Sequence, residues 1–135
     1  YLPIFPEFVF YLRNFSYYLY DNNLSENELF KFGGANLMRG FDERSLDASF
    51  LMCNTFEFRY LLDKTSNIFI FADYAIYESK TYKNTYINHP FGTGIGINLG
   101  TKNGILSFTY SIGKDDYTEF LLKNTKVHLG FKTLF

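Results

Sequence analysis

The chain has 135 residues, which is enough for one domain of ordinary size. A formal net charge of −1 gives it no basic field of the kind that nucleic-acid-binding proteins use, and no apolar run reaches the ~18 residues of a transmembrane helix. Aromatic residues make up 21% of the sequence, while the mean hydropathy is only −0.13. We therefore expect the aromatic residues to alternate with polar ones rather than to form apolar blocks.

The N-terminal sequence shows no basic segment followed by an apolar one, so no signal peptide is visible. Because the sequence starts at Tyr1, we expect either a leader that has been removed or a start inside a longer protein. The single cysteine, Cys53, cannot form an internal disulfide and is expected to be a small packing residue.

Apolar residues recur at every second position from residue 8 onward, and this period predicts about six strands and no helix. In chain order the predicted strands are residues 8–21, 55–62, 67–77, 92–100, 105–113 and 126–135. Several of them have one apolar face and one face of small or polar residues. If the sheet lies in a membrane, the side chains expected to point outward include Ile70, Ile97, Leu106 and Phe108.

Short and long connections alternate between the predicted strands. The short ones are residues 63–67 and 102–104, and the second contains the tight-hairpin signal Asn103-Gly104. The long ones are residues 21–47, 78–91 and 114–124. Such alternation is typical of an outer-membrane β-barrel, which has short periplasmic turns and long external loops.

A water-soluble β-sandwich stays open as the alternative, because the alternation in one strand cannot tell an outward apolar face from an inward one. The strand count bears on the membrane interpretation. Six strands are fewer than the eight of the smallest membrane barrels, and lipid does not tolerate an open sheet edge. A barrel interpretation therefore makes this chain one part of a larger barrel.

The loop sequence ELFKFGGANLMRGFDERSL resembles the sixth external loop of the BamA-type assembly factors. Their superfamily also includes TamA, the two-partner secretion transporters and the bacterial surface-antigen proteins. The family's loop motif is an Arg-Gly-Phe tripeptide after a Gly-Gly pair, and the matching residues here are Gly33, Gly34, Arg39, Gly40 and Phe41. The Glu-Leu-Phe that precedes the motif resembles the Bacteroidota branch.

Three further segments match the same family in order. EFRY, residues 57–60, resembles the strand after the loop, and FADYA, residues 71–75, resembles the next strand, with Ala75 in place of the usual glycine. The ending HLGFKTLF is similar to the family's barrel-recognition signal, although Thr133 departs from the usual hydrophobic residue. The residues assigned to that signal are His128, Gly130, Phe131 and Phe135.

The resemblance implies an all-β fold, an antiparallel up-and-down transmembrane barrel of about sixteen strands. Residues 1–135 would form its six C-terminal strands, with the Arg-Gly-Phe motif in the inserted loop 21–47. The implied location is the outer membrane of a Gram-negative bacterium. The implied partners are membrane lipids, the missing N-terminal strands, unfolded outer-membrane protein clients and accessory assembly subunits.

The function implied is the insertion or export of other outer-membrane proteins, without a cofactor and without enzymatic activity. The alternative is a barrel that anchors or exports a patatin-like phospholipase, whose catalytic domain would precede this chain. The sequence upstream of Tyr1 distinguishes the two. Tandem periplasmic domains favour assembly, and a Gly-x-Ser-x-Gly motif favours the lipase.

Arg39 is the residue on which the loop hypothesis depends. A loop that folds back into a barrel would bury a guanidinium that cannot lose its charge, so carboxylate partners are required. The period-two phase directs Glu57 and Asp73 inward if the aliphatic faces meet lipid, and the resemblance implies the same pairing. We expect Arg39 to lie within about 2.7–3.2 Å of Asp73, with Glu57 beside it. The alternative is a solvated arginine in a flexible external loop.

Other motifs give no support for catalysis or metal binding. GTGIG, residues 92–96, lacks a following helix and fits small inward residues of a strand better than a dinucleotide site. His89 and His128 have no partner at metal-ligand spacing. KDDYTE, residues 114–119, is expected to be an exposed loop tip, and no serine has a base at a triad-like position.

Overall fold

The computed structural model describes residues 2–116 and 125–133 of the chain. Apart from one short 3-10 helix at Glu26–Glu28, its regular elements are all strands. The strands are β1 (Leu2–Phe5), β2 (Phe8–Tyr18), β3 (Phe30–Phe32), β4 (Leu46–Ala48), β5 (Phe50–Leu61), β6 (Asn67–Lys80), β7 (Thr85–Asn88), β8 (Phe91–Gly100), β9 (Gly104–Lys114) and β10 (Thr125–Thr133). The predicted all-β class is confirmed.

One antiparallel sheet contains every strand except β3 and β4, in the order β1-β2-β5-β6-β8-β9-β10. β7 also pairs with β6, beyond the end of β8. Neighbours in the sheet follow one another along the chain, which is the up-and-down connectivity expected of a barrel wall. Among the described residues β1 and β10 are the two edges, and β3 and β4 form a separate hairpin within the long loop.

The two faces of the sheet differ in what covers them. The inner face, defined here as the face that contacts the loop between β2 and β5, includes buried Thr55, Glu57 and Asp73. On the outer face Ile70 is 57% exposed and Leu106 is 44% exposed. Phe108 on that face is 43% exposed, and Ile97 is half-buried. The outward phase predicted for these residues is confirmed, and the other sheet in the described part of the chain is the two-stranded β3-β4 pair, which packs on the inner face.

The interior packing lies between the loop and the part of the inner face where β5 begins and β6 ends. Loop residues Phe32, Met38 and Ala48 pack with the strand residues Leu51, Cys53, Ala75 and Tyr77. Met38 and Leu51 are completely buried, and the free thiol of Cys53 is buried among them. The expected packing role of Cys53 is confirmed. Burial of these side chains supplies the hydrophobic free energy that keeps the loop folded against the sheet.

The connection predicted at residues 78–91 is wrong in its length. β6 continues to Lys80 and β7 begins at Thr85, so the turn is only Thr81–Asn84, closed by a 2.8 Å hydrogen bond from the Thr81 N–H to the Asn84 carbonyl. The sequence there is mostly polar, so the apolar alternation that marks the other strands is absent from β7. Pro90 lacks an N–H group and separates β7 from β8.

The sequence prediction also left out β1 and the first residues of β5. β1 contains Pro3, which argues against a strand because proline has no N–H group to donate to the ladder. β5 starts at Phe50 rather than at residue 55, since Met52 and Asn54 interrupt the aromatic alternation without interrupting the pairing with β2. No helix in the described part of the chain has the length and apolar character needed to cross a membrane.

Candidate functional site

The backbone of the loop turns sharply on both sides of Arg39. Gly33, Gly34 and Gly40 adopt φ values of +112°, +111° and +99°, in a region that residues with a Cβ atom disfavour. Met38 also has a positive φ, at 65°, and its complete burial offsets the cost of that conformation. The Gly34 N–H donates to the Met38 carbonyl at 3.2 Å, which closes the turn that presents Arg39 to the sheet.

A carboxylate within the loop holds the Gly-Gly turn from the other side. Glu43 accepts a 2.8 Å hydrogen bond from the Ala35 N–H. A Cβ atom on Gly34 would overlap the Glu43 carboxylate and displace it from the Ala35 N–H, while the positive φ is what requires glycine at this position. The sequence prediction missed Glu43, because no periodic pattern in a loop indicates which side chain returns to the backbone.

Arg39 makes four hydrogen bonds to two carboxylates of the inner face. Its Nε and Nη2 donate to the two oxygens of Asp73 at 2.9 and 2.8 Å, and its Nη1 donates to Glu57 Oε1 at 2.6 Å. The backbone N–H of Arg39 also donates to Asp73, at 2.9 Å. Paired N–H groups on one carboxylate are the strongest geometry available to a guanidinium.

The strand register explains why the two carboxylates meet the same guanidinium. Thr55 lies opposite Asp73, and Glu57 lies opposite Phe71. Glu57 and Asp73 are therefore diagonal neighbours on one face of β5 and β6, close enough for a single long side chain to contact both. Asp73 is 0% exposed. The guanidinium carbon of Arg39 lies 3.6 Å from the centroid of the Phe71 ring, which adds a cation–π contact.

A second arginine balances the charge of the cluster. Glu57 Oε2 accepts a hydrogen bond from the Nε of Arg59 at 2.7 Å and forms an ion pair with its Nη2 at 2.6 Å. Two guanidinium groups thus face two carboxylates, and the cluster is electrically neutral. Such neutrality matters because a single uncompensated charge buried at this position would be strongly destabilising.

Glycines on β8 and β9 allow the loop backbone to come close to the sheet. A Cβ atom on Gly92 would overlap the carbonyl oxygen of Arg39. A Cβ atom on Gly113 would lie 2.7 Å from the Gly40 oxygen and 2.8 Å from the Phe41 ring. A Cβ atom on Gly40 would lie 2.8 Å from the backbone of Ile112. The loop therefore needs these glycines for close approach.

The remaining glycines of GTGIG accommodate aromatic rings. Gly96 lies opposite Phe69, and a Cβ atom on it would overlap that ring. Gly94 lies opposite Phe71, and a Cβ atom on it would overlap the Tyr110 carbonyl oxygen of β9 and lie 3.0 Å from the Phe71 ring. The small inward side of β8 was predicted from the sequence. The sequence did not indicate why these inward residues are small. The structure shows that Phe69, Phe71 and the loop occupy the space beside them.

Arg13 is a further inner-face residue that the sequence prediction missed. Its Nη2 donates to the carbonyl of loop residue Asn36 at 2.7 Å and lies 3.4 Å from the Thr55 hydroxyl. β2 therefore also holds the loop. The available signal was the position of Arg13 on β2, because the strand phase directs it to the same face as Glu57.

The residues assigned to the C-terminal signal lie on both faces of β10. His128 is half-buried and on the inner face, Gly130 lies opposite Ser107, and Phe131 is 59% exposed on the outer face. Phe135 lies outside the described residues. His89 contacts Asp116 at 2.9 Å, and within residues 2–116 and 125–133 no three metal-ligating side chains come together.

Comparison with known protein families gives one match. The family model described as the Omp85 superfamily domain matches residues 1–131. No curated protein and no solved structure matches the chain.

Proposed function

The chain belongs to the Omp85 superfamily of outer-membrane assembly and translocation barrels, and from that membership we propose that it forms the C-terminal wall of a bacterial barrel that inserts other outer-membrane proteins. In this proposal the loop between β2 and β5 lies inside the barrel. Its role is structural, since it contacts five neighbouring strands, β2, β5, β6, β8 and β9, and holds them in one fixed arrangement.

The observation that supports this proposal most is the contact of Arg39 with Asp73 and Glu57. One loop residue joins β5 to β6 through its side chain, while its carbonyl and the adjacent Gly40 lie against β8 and β9. Removing one partner of a buried ion pair costs about 3–5 kcal/mol, because the other charge stays behind. A loop held this firmly prevents β5, β6, β8 and β9 from moving independently of one another, so the curvature of this part of the wall is fixed.

The edge strand β10 would supply the site of action. In the complete barrel it would close the wall by pairing with the first strand. A closing pair that opens offers unpaired N–H and C=O groups to an incoming strand, which is the β-augmentation mode of recognition. Gly130 would weaken β10 locally, because a glycine in a strand adds no side-chain packing. A Cβ atom there would meet only Ser107, at 3.7 Å, so a glycine is not needed for space.

The experiment compares Arg39→Ala with Lys31→Ala in the full-length protein, expressed as the only copy in the cell. Lys31 makes a partly exposed ion pair with Asp47 at 2.9 Å in the same loop, and such a pair contributes about 0–1 kcal/mol. The readouts are the amount of folded client protein in the outer membrane and the heat-modifiable migration of the barrel itself.

We expect Arg39→Ala to reduce client assembly while the barrel stays folded, and Lys31→Ala to leave both readouts unchanged. Normal client assembly in a cell that contains only the Arg39→Ala barrel would refute the proposed role of the loop. Equal losses in both variants would show that the loop surface, rather than the buried contact, is what matters.

A further inference from the structure

Two asparagines and a serine form a polar cluster on the outer face of the sheet. Asn14 on β2 lies directly opposite Asn54 on β5, and its Nδ2 donates to Asn54 Oδ1 at 2.8 Å. The Ser16 hydroxyl donates to Asn14 Oδ1 at 3.1 Å. Asn14 and Asn54 are called here the amide pair. They have apolar or aromatic neighbours along both strands, among them Leu12 and Phe56.

The amide pair has more donors than the protein uses. Two carboxamides contain four N–H groups, and among the described residues one of the four has a protein acceptor. Asn14 is exposed and Asn54 is half-buried. Hydrogen-bond donors on the lipid-facing side of a barrel cost free energy unless an acceptor reaches them, so the surroundings must supply an oxygen atom.

The register places the amide pair near the end of the apolar band, because the row beyond it contains Ser16 beside Met52 and Ile76, and the row after that reaches Glu78. The ladder row on the other side of the pair contains Leu12, Phe56, Ala72, Thr93 and Ile112. The pair's own row continues through Tyr74 and Phe91 to Lys114. Tyrosine and lysine are residues that membrane proteins place at the lipid–water interface. The amide pair is therefore at the level where the acyl carbonyls of a bilayer lie.

An apolar hollow opens on the same face, one row deeper in the membrane. Its volume is about 280 Å³, near the lower end of the ~300–1,000 Å³ of small-molecule sites. Ala72 and Thr93 form its floor because their side chains are small, and the walls include Phe10, Phe56, Phe58 and Ile70. The Thr93 hydroxyl donates to the Phe71 carbonyl at 2.7 Å, so it is not free to bind a ligand. Phe56 links the hollow to the amide pair.

We propose that the hollow and the amide pair together bind one ester-linked phospholipid. An acyl chain fills the hollow. The ester carbonyl oxygen of that lipid accepts hydrogen bonds from the free N–H groups of Asn14 and Asn54. A neutral amide pair suits a neutral carbonyl, whereas a multiply phosphorylated glycolipid would require arginines or lysines beside it. The lysine in the same row, Lys114, is three strands away from Asn54. The inference rests on the membrane placement of the sheet in the proposed function, but not on the role of Arg39.

The test uses delipidated full-length protein in detergent, to which phosphatidylethanolamine is added and whose bound lipid is counted by native mass spectrometry. The ester-linked lipid is compared with its ether-linked analogue, which has the same headgroup and chains but lacks the carbonyl oxygens. Because the loss of one or two neutral hydrogen bonds changes affinity by about tenfold, we expect about tenfold stronger binding of the ester form.

Three variants separate the two parts of the site. The double change Asn14→Leu/Asn54→Leu should remove the preference for the ester form. Ala72→Phe should weaken the binding of both lipids, because its ring fills the hollow. Leu106→Phe adds a ring to the same outer face on β9 and should change neither. Heat-modifiable migration verifies that each variant is folded, and if the double variant is not, Asn54→Leu alone replaces it.

Equal binding of the ester and ether lipids by the unaltered protein would overturn the proposal. So would unchanged binding in Ala72→Phe, or tighter binding of lipopolysaccharide than of phosphatidylethanolamine when each is added to the delipidated protein. None of these outcomes bears on client assembly, so a failure here is distinguishable from a failure of the role proposed for Arg39.

Discussion

Arg39 and Asp73 are joined by three hydrogen bonds, of which two come from the side chain and one from the backbone N–H of Arg39. The Asp73 carboxylate therefore binds both the loop backbone and the charged side chain of Arg39. A substitution of Arg39 removes only part of this contact, whereas a substitution of Asp73 removes all of it.

Arg39→Ala should free the loop without unfolding the sheet. Asp73 and Glu57 would remain buried without the guanidinium, at a cost of about 3–5 kcal/mol. Hydrogen exchange of the amides in residues 30–46 should accelerate accordingly. Arg39→Lys should restore little protection, because an ammonium group cannot reproduce the two-pronged contact. Unchanged exchange in Arg39→Ala, measured beside the Lys31→Ala control, would contradict this account.

Asp73→Asn should be more damaging than Glu57→Gln. Asp73 is completely buried and accepts three hydrogen bonds from Arg39, while Glu57 accepts one from Arg39 and shares its charge with the more exposed Arg59. The denaturant concentration at which the loop amides lose protection gives the order. In the double variant Arg39→Ala/Asp73→Ala, the loss should be smaller than the sum of the two single losses, because contacting residues do not act additively. An additive result would mean that the two residues act independently.

Gly92→Ala should displace the loop, because a methyl group would overlap the Arg39 carbonyl. Gly113→Ala should act in the same direction and less strongly. Gly130→Ala is the matched control, since a Cβ atom there meets only Ser107 at an ordinary contact distance. Limited proteolysis within residues 30–46 distinguishes them. Equal cleavage of the Gly92 and Gly130 variants would disprove the close-approach argument.

Deleting Phe135 should lower the amount of barrel assembled in the outer membrane. The reason is the proposed C-terminal signal, to which the outward Phe131 also contributes an exposed ring. Phe135→Tyr keeps an aromatic ring at the end of the chain and serves as the control. Quantitative blotting of outer-membrane fractions, with and without heating, measures both forms. Full assembly of the deleted chain would exclude a role for this residue in recognition.

The strand phases were predictable because a period of two leaves only two choices for each strand. Once Ile70 and Phe58 point outward, Asp73 and Glu57 must point inward. That geometry brings both carboxylates to Arg39, although their part in protein assembly remains a prediction. β1 was not predictable in the same way, because Pro3 removes a ladder donor and four residues are too few to show a period of two.

The loop contacts were the least predictable part. The hydrogen bond from the Ala35 N–H to the Glu43 carboxylate depends on the conformation of a local turn, which no sequence periodicity reveals. Gly92 and Gly113 resemble ordinary strand glycines until the position of the Arg39 backbone is known. The pairing of residues 85–88 was hidden by polar residues, because apolar alternation marks a strand only where lipid or a packed core demands it.

The position of Gly92 and Gly113 has a consequence for the order of folding events. The surface that receives Arg39 and Gly40 includes backbone from β8 and β9, which follow the loop in the chain. That surface does not exist until β6, β8 and β9 have paired. The loop is synthesised before its own binding surface and must wait for it. Its docking is therefore a late step, and a chain halted before β9 has paired would expose the loop to protease.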